Sequence, residues 1–293
     1  MSDKNVTLSA NIRSNLLSLN NTASMVDRTN SRLSTGNKVN SAIDDAVAYF
    51  QAKGLTDRST DLTGRKDSID QGISSLKTSL TTLESVEDLL TQMKGVILSA
   101  KSATNDERDE LASNYQTLSA QINNLVNDAS YQGLNLLNST ISQLNIQFSD
   151  KTAARLEVEG VDVRLSNMAG FSTVAASSQG SSLTAYDASF GSWTSVSNST
   201  SVFDKVIENL DSAISTIRSD AKTMGTNVAL LQTRLDFTES YVNVLTEGGG
   251  KLTLADLNEE GANLVALQTR QQLGIQALSF AGQQEQGVLS LFG

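Results

Sequence analysis

Residues 203–245 constrain this chain more than any other stretch. Steps of four and three pick out Phe203, Ile207, Leu210, Ile214, Ile217, Ala221, Met224, Val228, Leu231, Leu235, Thr238, Val242 and Leu245, and only Thr238 among them is polar. Asp204, Lys205, Glu208, Asp211, Arg218, Asp220, Lys222, Gln232, Arg234 and Asp236 lie between. An apolar seam repeating every 3.5 residues, sustained over several heptads, predicts a coiled-coil helix. At 1.5 Å per residue it is about 64 Å long. Its apolar stripe has to be covered by partner helices, because most helical stability in proteins comes from packing such a face.

The rest of the chain offers those partners. Ile69, Ile73, Leu76, Leu80, Leu83, Glu87, Leu90, Lys94 and Ile97 form a second seam with two polar breaks. Leu111, Tyr115, Leu118, Ile122, Leu125 and Ala129 form a third. Between them Thr104 and Glu107 have the spacing of a capping box, so 101–106 reads as the turn of a helical hairpin. The acidic cluster there is a solvated helix start. The expected intrachain bundle core is Ile73, Leu76, Leu80, Leu83, Leu118, Ile122, Leu210, Ile214, Ile217 and Leu231.

Proline is absent, as long uninterrupted helices require. Histidine and cysteine are absent too, which removes disulfides, thiolate nucleophiles, the usual general base and the common zinc ligands. No enzymatic activity, cofactor or metal is expected. Asp44 and Asp45 are adjacent acids, read as helix-start charges rather than a metal or acid pair. A net charge of −10, with no run of Lys or Arg, argues against nucleic acid. No apolar run reaches the length of a membrane span, so no membrane insertion is expected. The N-terminus lacks the basic and apolar regions of a cleaved leader, so export, if it occurs, is expected without one.

Both ends of the chain are nearly stripped of charge. Residues 5–26 carry only Arg13, and 261–293 carry only Arg270 and Glu285. Near the first end, Ile12, Leu16, Leu19, Ala23, Val26, Asn30 and Leu33 step by four and three, with Asn, Ser and Thr on the other faces. Gly36 reads as a helix stop, and Ser41 with Asp44 as the capped start of the next helix. A solvated helix normally wears charge on its outer face. Uncharged amides and hydroxyls suit a protein–protein interior better, since they avoid the desolvation cost of ions. The expected self-assembly interface is therefore Ile12, Leu16, Leu19, Val26 and Leu33 with Leu264, Leu267, Ile275, Leu278 and Leu289.

The pattern changes after Leu137. Leu144, Ile146 and Phe148 alternate with polar residues, and Leu156, Val158, Val161 and Val163 do so less cleanly, which predicts a β-hairpin turning at 149–151. Residues 166–201 hold 16 Ser or Thr among 36, with Phe171, Tyr186, Phe190 and Trp193 interleaved. They read as a small β or irregular lobe. Gly248, Gly249 and Gly250 read as a helix break, with a last helix from about Leu254 to Leu291.

These pieces resemble bacterial flagellin. The run SRLSTG at 31–36, then KVNSA at 38–42 and DDA at 44–46, resembles the family signature after its first helix. SLNNTA at 18–23, YQGLNLL at 131–137 and QGVLSLF at 286–292 resemble further family motifs. The resemblance covers roughly 1–165 and 200–293. It implies a mainly α fold: an elongated coiled-coil and helical bundle formed by the N- and C-terminal regions, with a β-hairpin and a small variable outer lobe. The expected divisions are 1–40 and 248–293 for the inner coiled coil, 41–165 and 202–247 for the helical middle domain, and 166–201 for the lobe. It also implies unfolded export through a type III export gate with an export chaperone, folding under a flagellar cap, a hook-junction protein as neighbour, and homopolymerisation into an extracellular filament. Exposed Ser or Thr in 166–201 would be the place for O-glycosylation. One stretch departs from the family pattern: at 91–96, Gln92 stands where the family's receptor-binding arginine is expected and Gly95 where a glutamate is, which implies weak recognition by Toll-like receptor 5. The alternatives are a hook–filament junction protein of the same superfamily and a non-polymerising exported helical scaffold.

Overall fold

Five helices carry most of the chain: α1 (Ala10–Thr35), α2 (Ala46–Ser102), α3 (Asn105–Asp128), α4 (Thr200–Thr253) and α5 (Leu257–Phe292). The computed structural model describes residues 10–149, 153–168, 174–175, 182–183 and 200–292. Three small antiparallel pairs fall between α3 and α4: β1 (Ser130–Tyr131) with β2 (Leu134–Asn135), β3 (Gln143–Gln147) with β4 (Arg155–Glu159), and β5 (Val174–Ala175) with β6 (Ser182–Leu183). The fold is mainly α, as the periodicity predicts. The chain divides into two compact units, one of Met1–Ser59 and Asn243–Gly293, the other of Thr60–Val242.

In the second unit, α2, α3 and α4 enclose one apolar core. Ile73, Leu76, Leu83, Ile122, Leu210, Ile214, Ile217 and Leu231 are buried in it, and Leu118 packs against it partly exposed. Leu80 is half-buried. The 203–245 seam is buried or half-buried at every position, Thr238 included. That threonine satisfies its hydroxyl within the helix, Oγ1 donating to the Arg234 carbonyl at 2.8 Å. On α2 the seam takes Val86 and Met93 where step-counting placed Glu87 and Lys94. Those two side chains lie at its edge, bound to Arg218 and Asp211. Together with Lys66–Glu239 and Lys101–Asp204 they tie α2 to α4. Each step of seven along α2 from 87 to 101 matches a step of seven back along α4, so the two run antiparallel in strict heptad register.

The capping box at the start of α3 is present: the Thr104 amide and hydroxyl both donate to Glu107 Oε2 at 2.9 Å. The Glu107 carboxyl is held below its usual range, first by the amide and then by the hydroxyl. At the other end of α3 the chain turns through Gln132 (φ 51°) and Gly133 (φ 84°), the left-handed pair a two-residue hairpin needs. The Asn135 side chain then donates to the carbonyls of Val126 (2.7 Å) and Asn127 (3.2 Å), satisfying two orphan acceptors of the helix. Strands β3 and β4 pair as expected, with Ile146 and Val158 turned into the core. Gly72 on α2 admits this approach, since a Cβ there would overlap the Ile146 side chain. Most of the Ser/Thr-rich segment, and part of the 149–151 turn, lie outside the described residues.

In the first unit α1 and α5 pack together antiparallel. Two expectations fail here. The helix after Gly36 starts at Ala46, not at Ser41: Asp44 accepts hydrogen bonds from the Asn40 amide and from the Ser41 amide and hydroxyl, closing a turn, and Asp45 caps the helix through the Ala48 amide. Nor does the triple glycine break α4, which continues to Thr253. Gly248 and Gly249 lie against Ala52, Leu55 and Thr56 of α2, where a Cβ would find ordinary van der Waals contact. The helix ends instead at Leu254–Asp256, where Asp256 caps α5 by accepting from the Asn258 and Glu259 amides.

Candidate self-assembly surface

The pairing of α1 with α5 begins at their connecting loops. The Lys38 and Val39 amides donate to the Thr253 carbonyl (2.7 and 3.3 Å), and the Ala255 amide donates to the Gly36 carbonyl (2.9 Å). Gly36 sits at φ 72°, which favours glycine and ends α1 at Thr35. One turn inside, Arg32 Nη1 meets Glu260 Oε1 at 2.8 Å, with the glutamate buried. Further along, Gly274 admits the Leu19 side chain: a Cβ there would lie 2.8 Å from Leu19 Cδ1.

The shielded positions on α5 include Glu260, Leu264, Leu267, Gln271, Gly274, Leu278 and Ala281, spaced four and three, with Gly261 and Gly282 beside that row. On α1 they include Ile12, Leu19, Thr22, Val26, Thr29 and Leu33. Thr22 and Thr29 are buried, and the Thr22 hydroxyl donates to the Ser18 carbonyl at 2.9 Å. Of the ten residues expected in the assembly interface, Ile12, Leu19, Val26, Leu33, Leu264, Leu267 and Leu278 therefore belong to shielded seams of helices that pair within the chain. Leu16 (47% exposed) and Ile275 (53% exposed) lie outside the seams. The side chain of Leu289 is outside the described residues.

Step-counting missed a second apolar set. Leu17 and Met25 on α1, and Val265, Leu273 and Phe280 on α5, are exposed. Val265, Leu273 and Phe280 sit on the side of α5 away from its seam, with Thr269 and Gln276 among them and no charge. The signal was available: apolar residues on α5 fall on more than one stripe. A helix apolar on opposite faces is one that ends up buried.

A cleft beside the loops is lined by Arg32, Lys38, Asp44, Asp45, Asp256, Glu259 and Glu260. Most of its acids already have structural work. Asp44 is held below the usual carboxylate range by hydrogen bonds from the Asn40 amide, then the Ser41 hydroxyl and amide. Asp45 and Asp256 cap helices, and Glu260 holds Arg32. Among the described residues no group of acids is arranged to hold a metal ion, and no helix is long and apolar enough to cross a membrane.

Residues 6–142 match the family model described as the bacterial flagellin N-terminal helical region, and 207–292 match the bacterial flagellin C-terminal helical region. Flagellin FljM of Caulobacter vibrioides is 30% identical over 285 residues, covering 94% of each chain. A flagellin of Brucella melitensis is 26% identical over 278 residues, covering 94% of this chain and 95% of that one. Among solved structures, a flagellar hook-associated protein of Vibrio parahaemolyticus is similar at a TM-score of 0.58 and 12% identity, covering 72% of this chain and 100% of that one. At that identity the likeness speaks to the fold.

Proposed function

Because the chain belongs to the bacterial flagellins, we propose that its paired terminal helices are the elements through which copies dock. The chain is a structural subunit of the extracellular flagellar filament, in a family that is structural and self-assembling. The observation that supports the docking role is the two-sided apolar character of α5. One face packs on α1, and the other leaves Val265, Leu273 and Phe280 in solvent. On this reading the seam residues act in two steps. Leu19, Val26, Leu33, Leu264, Leu267 and Leu278 hold α1 on α5, and the pair then presents Leu16, Leu17, Met25, Val265, Leu273, Ile275 and Phe280 to neighbouring copies.

Electron microscopy of monomer mixed with short filament seeds tests this. The wild-type chain extends the seeds. Leu16→Glu and Phe280→Glu block extension while the α2–α4 core unfolds at an unchanged urea concentration. Leu278→Glu blocks it by a different route, by separating α1 from α5. Normal growth by all three variants would overturn the assignment. Short caps instead of filaments from the wild-type chain would favour the junction protein.

Export through a type III gate with a chaperone, and with folding under the cap, fits a chain with no cysteine to cross-link and charge-poor ends. The hook-junction protein is the expected partner at the filament base. Weak recognition by Toll-like receptor 5 follows from 91–96: Gln92 and Gly95 supply no charge, Met93 is buried, and Lys94 is committed to Asp211. A receptor-reporter assay checks it, and a full response at ordinary flagellin doses would sink it.

A further inference from the structure

A peroxide in contact with this chain finds few groups to oxidise. There is no cysteine, and there are five methionines. Three of them belong to the core of the second unit: Met93 is fully buried, Met224 is 3% exposed and Met168 is 7% exposed. Met25 on α1 is 49% exposed, and among the described residues it is the one methionine in solvent. Met1 lies outside the described residues. A thioether becomes a sulfoxide only where the oxidant reaches its sulfur, so burial selects Met25.

Met25 stands on the side of α1 that its own chain leaves open. Thr22, Val26 and Thr29 are shielded in the seam, whereas Leu17, Asn21 and Met25 follow one another in steps of four and are all exposed. The residue closes the charge-poor segment, with Asp27 and Arg28 next in the chain. Oxidation here leaves the α1–α5 seam as it is and alters only the outer face. A sulfur lone pair of Met25 attacks one oxygen of hydrogen peroxide. The S–O bond forms as the O–O bond breaks, sulfur gives up two electrons, and the other oxygen leaves as water with the proton of the first. An apolar, adaptable side chain becomes a polar, chiral one. In water the new dipole is solvated, but against an apolar neighbour it loses that solvation.

We propose that Met25 is a site of reversible oxidation by peroxide, and that its sulfoxide keeps the folded monomer out of the filament. This rests on the docking role of α1 given above and adds a chemical control to that surface. The free monomer is sensitive, and a copy already in the filament is shielded by its neighbours. Methionine sulfoxide reductases return the thioether, so the block is reversible.

Folded monomer and finished filaments are treated with hydrogen peroxide, and each methionine is read by peptide mass spectrometry. In the monomer Met25 should oxidise at least about tenfold faster than Met93, Met168 and Met224, and at least about tenfold faster than in filaments. The oxidised monomer should keep its helicity and need at least about threefold more protein for seeded growth. Treatment with both sulfoxide reductases should restore growth. Met25→Leu is compared only with itself: whatever its own growth, peroxide should leave it unchanged, which separates Met25 from Met1 and Trp193. A buried methionine reacting ahead of Met25, equal rates in monomer and filament, or unimpaired growth after Met25 is oxidised overturns the proposal. So does loss of helicity on oxidation, or an equal effect of peroxide on Met25→Leu. Failure of the untreated wild-type chain to extend seeds would instead sink the filament reading.

Discussion

Asn135 makes three hydrogen bonds with one amide. Its nitrogen satisfies the Val126 and Asn127 carbonyls, and its Oδ1 accepts the Leu137 amide at 2.8 Å. Asn135→Ala leaves buried backbone groups unpaired, a loss of about 1–3 kcal/mol. Urea unfolding of the monomer should show the midpoint falling with an unchanged slope. Tyr115 is buried among apolar side chains, and desolvation raises its phenol above the ordinary value near 10. The unfolded chain therefore loses this proton first. Stability conferred by the neutral ring is complete below pH 10 and is lost as pH rises beyond it. Absorbance titration at 295 nm should find the Tyr115 phenol still neutral in the folded protein somewhat above pH 10 and ionised there once the chain is unfolded. A Tyr115→Phe variant with the same titration amplitude in that range identifies the silent ring. Neither role was legible from residue type. Asn135 was quoted only as part of a motif, because a side chain capping a helix seven residues upstream has no local spacing signature.

Helices α2 and α4 show where counting works and where it stops. Their apolar seams were readable because a buried stripe forces a period. The shift to Val86 and Met93 was not, because step-counting does not distinguish adjacent helical positions when both flank the stripe. The glycines of α4 misled for a physical reason: glycine lowers helix propensity by about 1 kcal/mol, but tertiary packing outweighs that. A Cβ at Gly248 or Gly249 would meet its neighbours at 3.5 Å or more, ordinary contact. Gly249→Ala should therefore stabilise the chain by about 0.5–1 kcal/mol, while Gly249→Ile should destabilise it by driving α4 off Ala52 and Thr56. Thermal unfolding with helicity measured by circular dichroism checks both signs. Destabilisation by the alanine would mean that the two helices approach too closely there for even one methyl group.

The two units differ in how completely they bury their apolar residues. The α2–α4 core holds many side chains with no exposure, whereas the α1–α5 seam is mostly half-buried and carries apolar residues on its outside. Amide hydrogen exchange in the monomer should therefore be faster along α1 and α5 than along 69–97 and 207–231, with α1 and α5 gaining protection in seeded filaments. Equal protection in monomer and filament would argue that the terminal pair docks nothing. The sequence by itself determined that the chain is built of long packed helices, that both ends are nearly free of charge, and that histidine- and thiol-based chemistry is absent. It could do so because burial imposes a period and solvation demands charge, and both are written residue by residue. Only the tertiary structure decided that α1 spends its seam on α5, which moves the unspent surface to Leu16, Ile275 and the side of α5 bearing Phe280. Which apolar face a helix shows to its own chain, and which to another, depends on contacts between residues some 250 positions apart, and a local period carries no record of them.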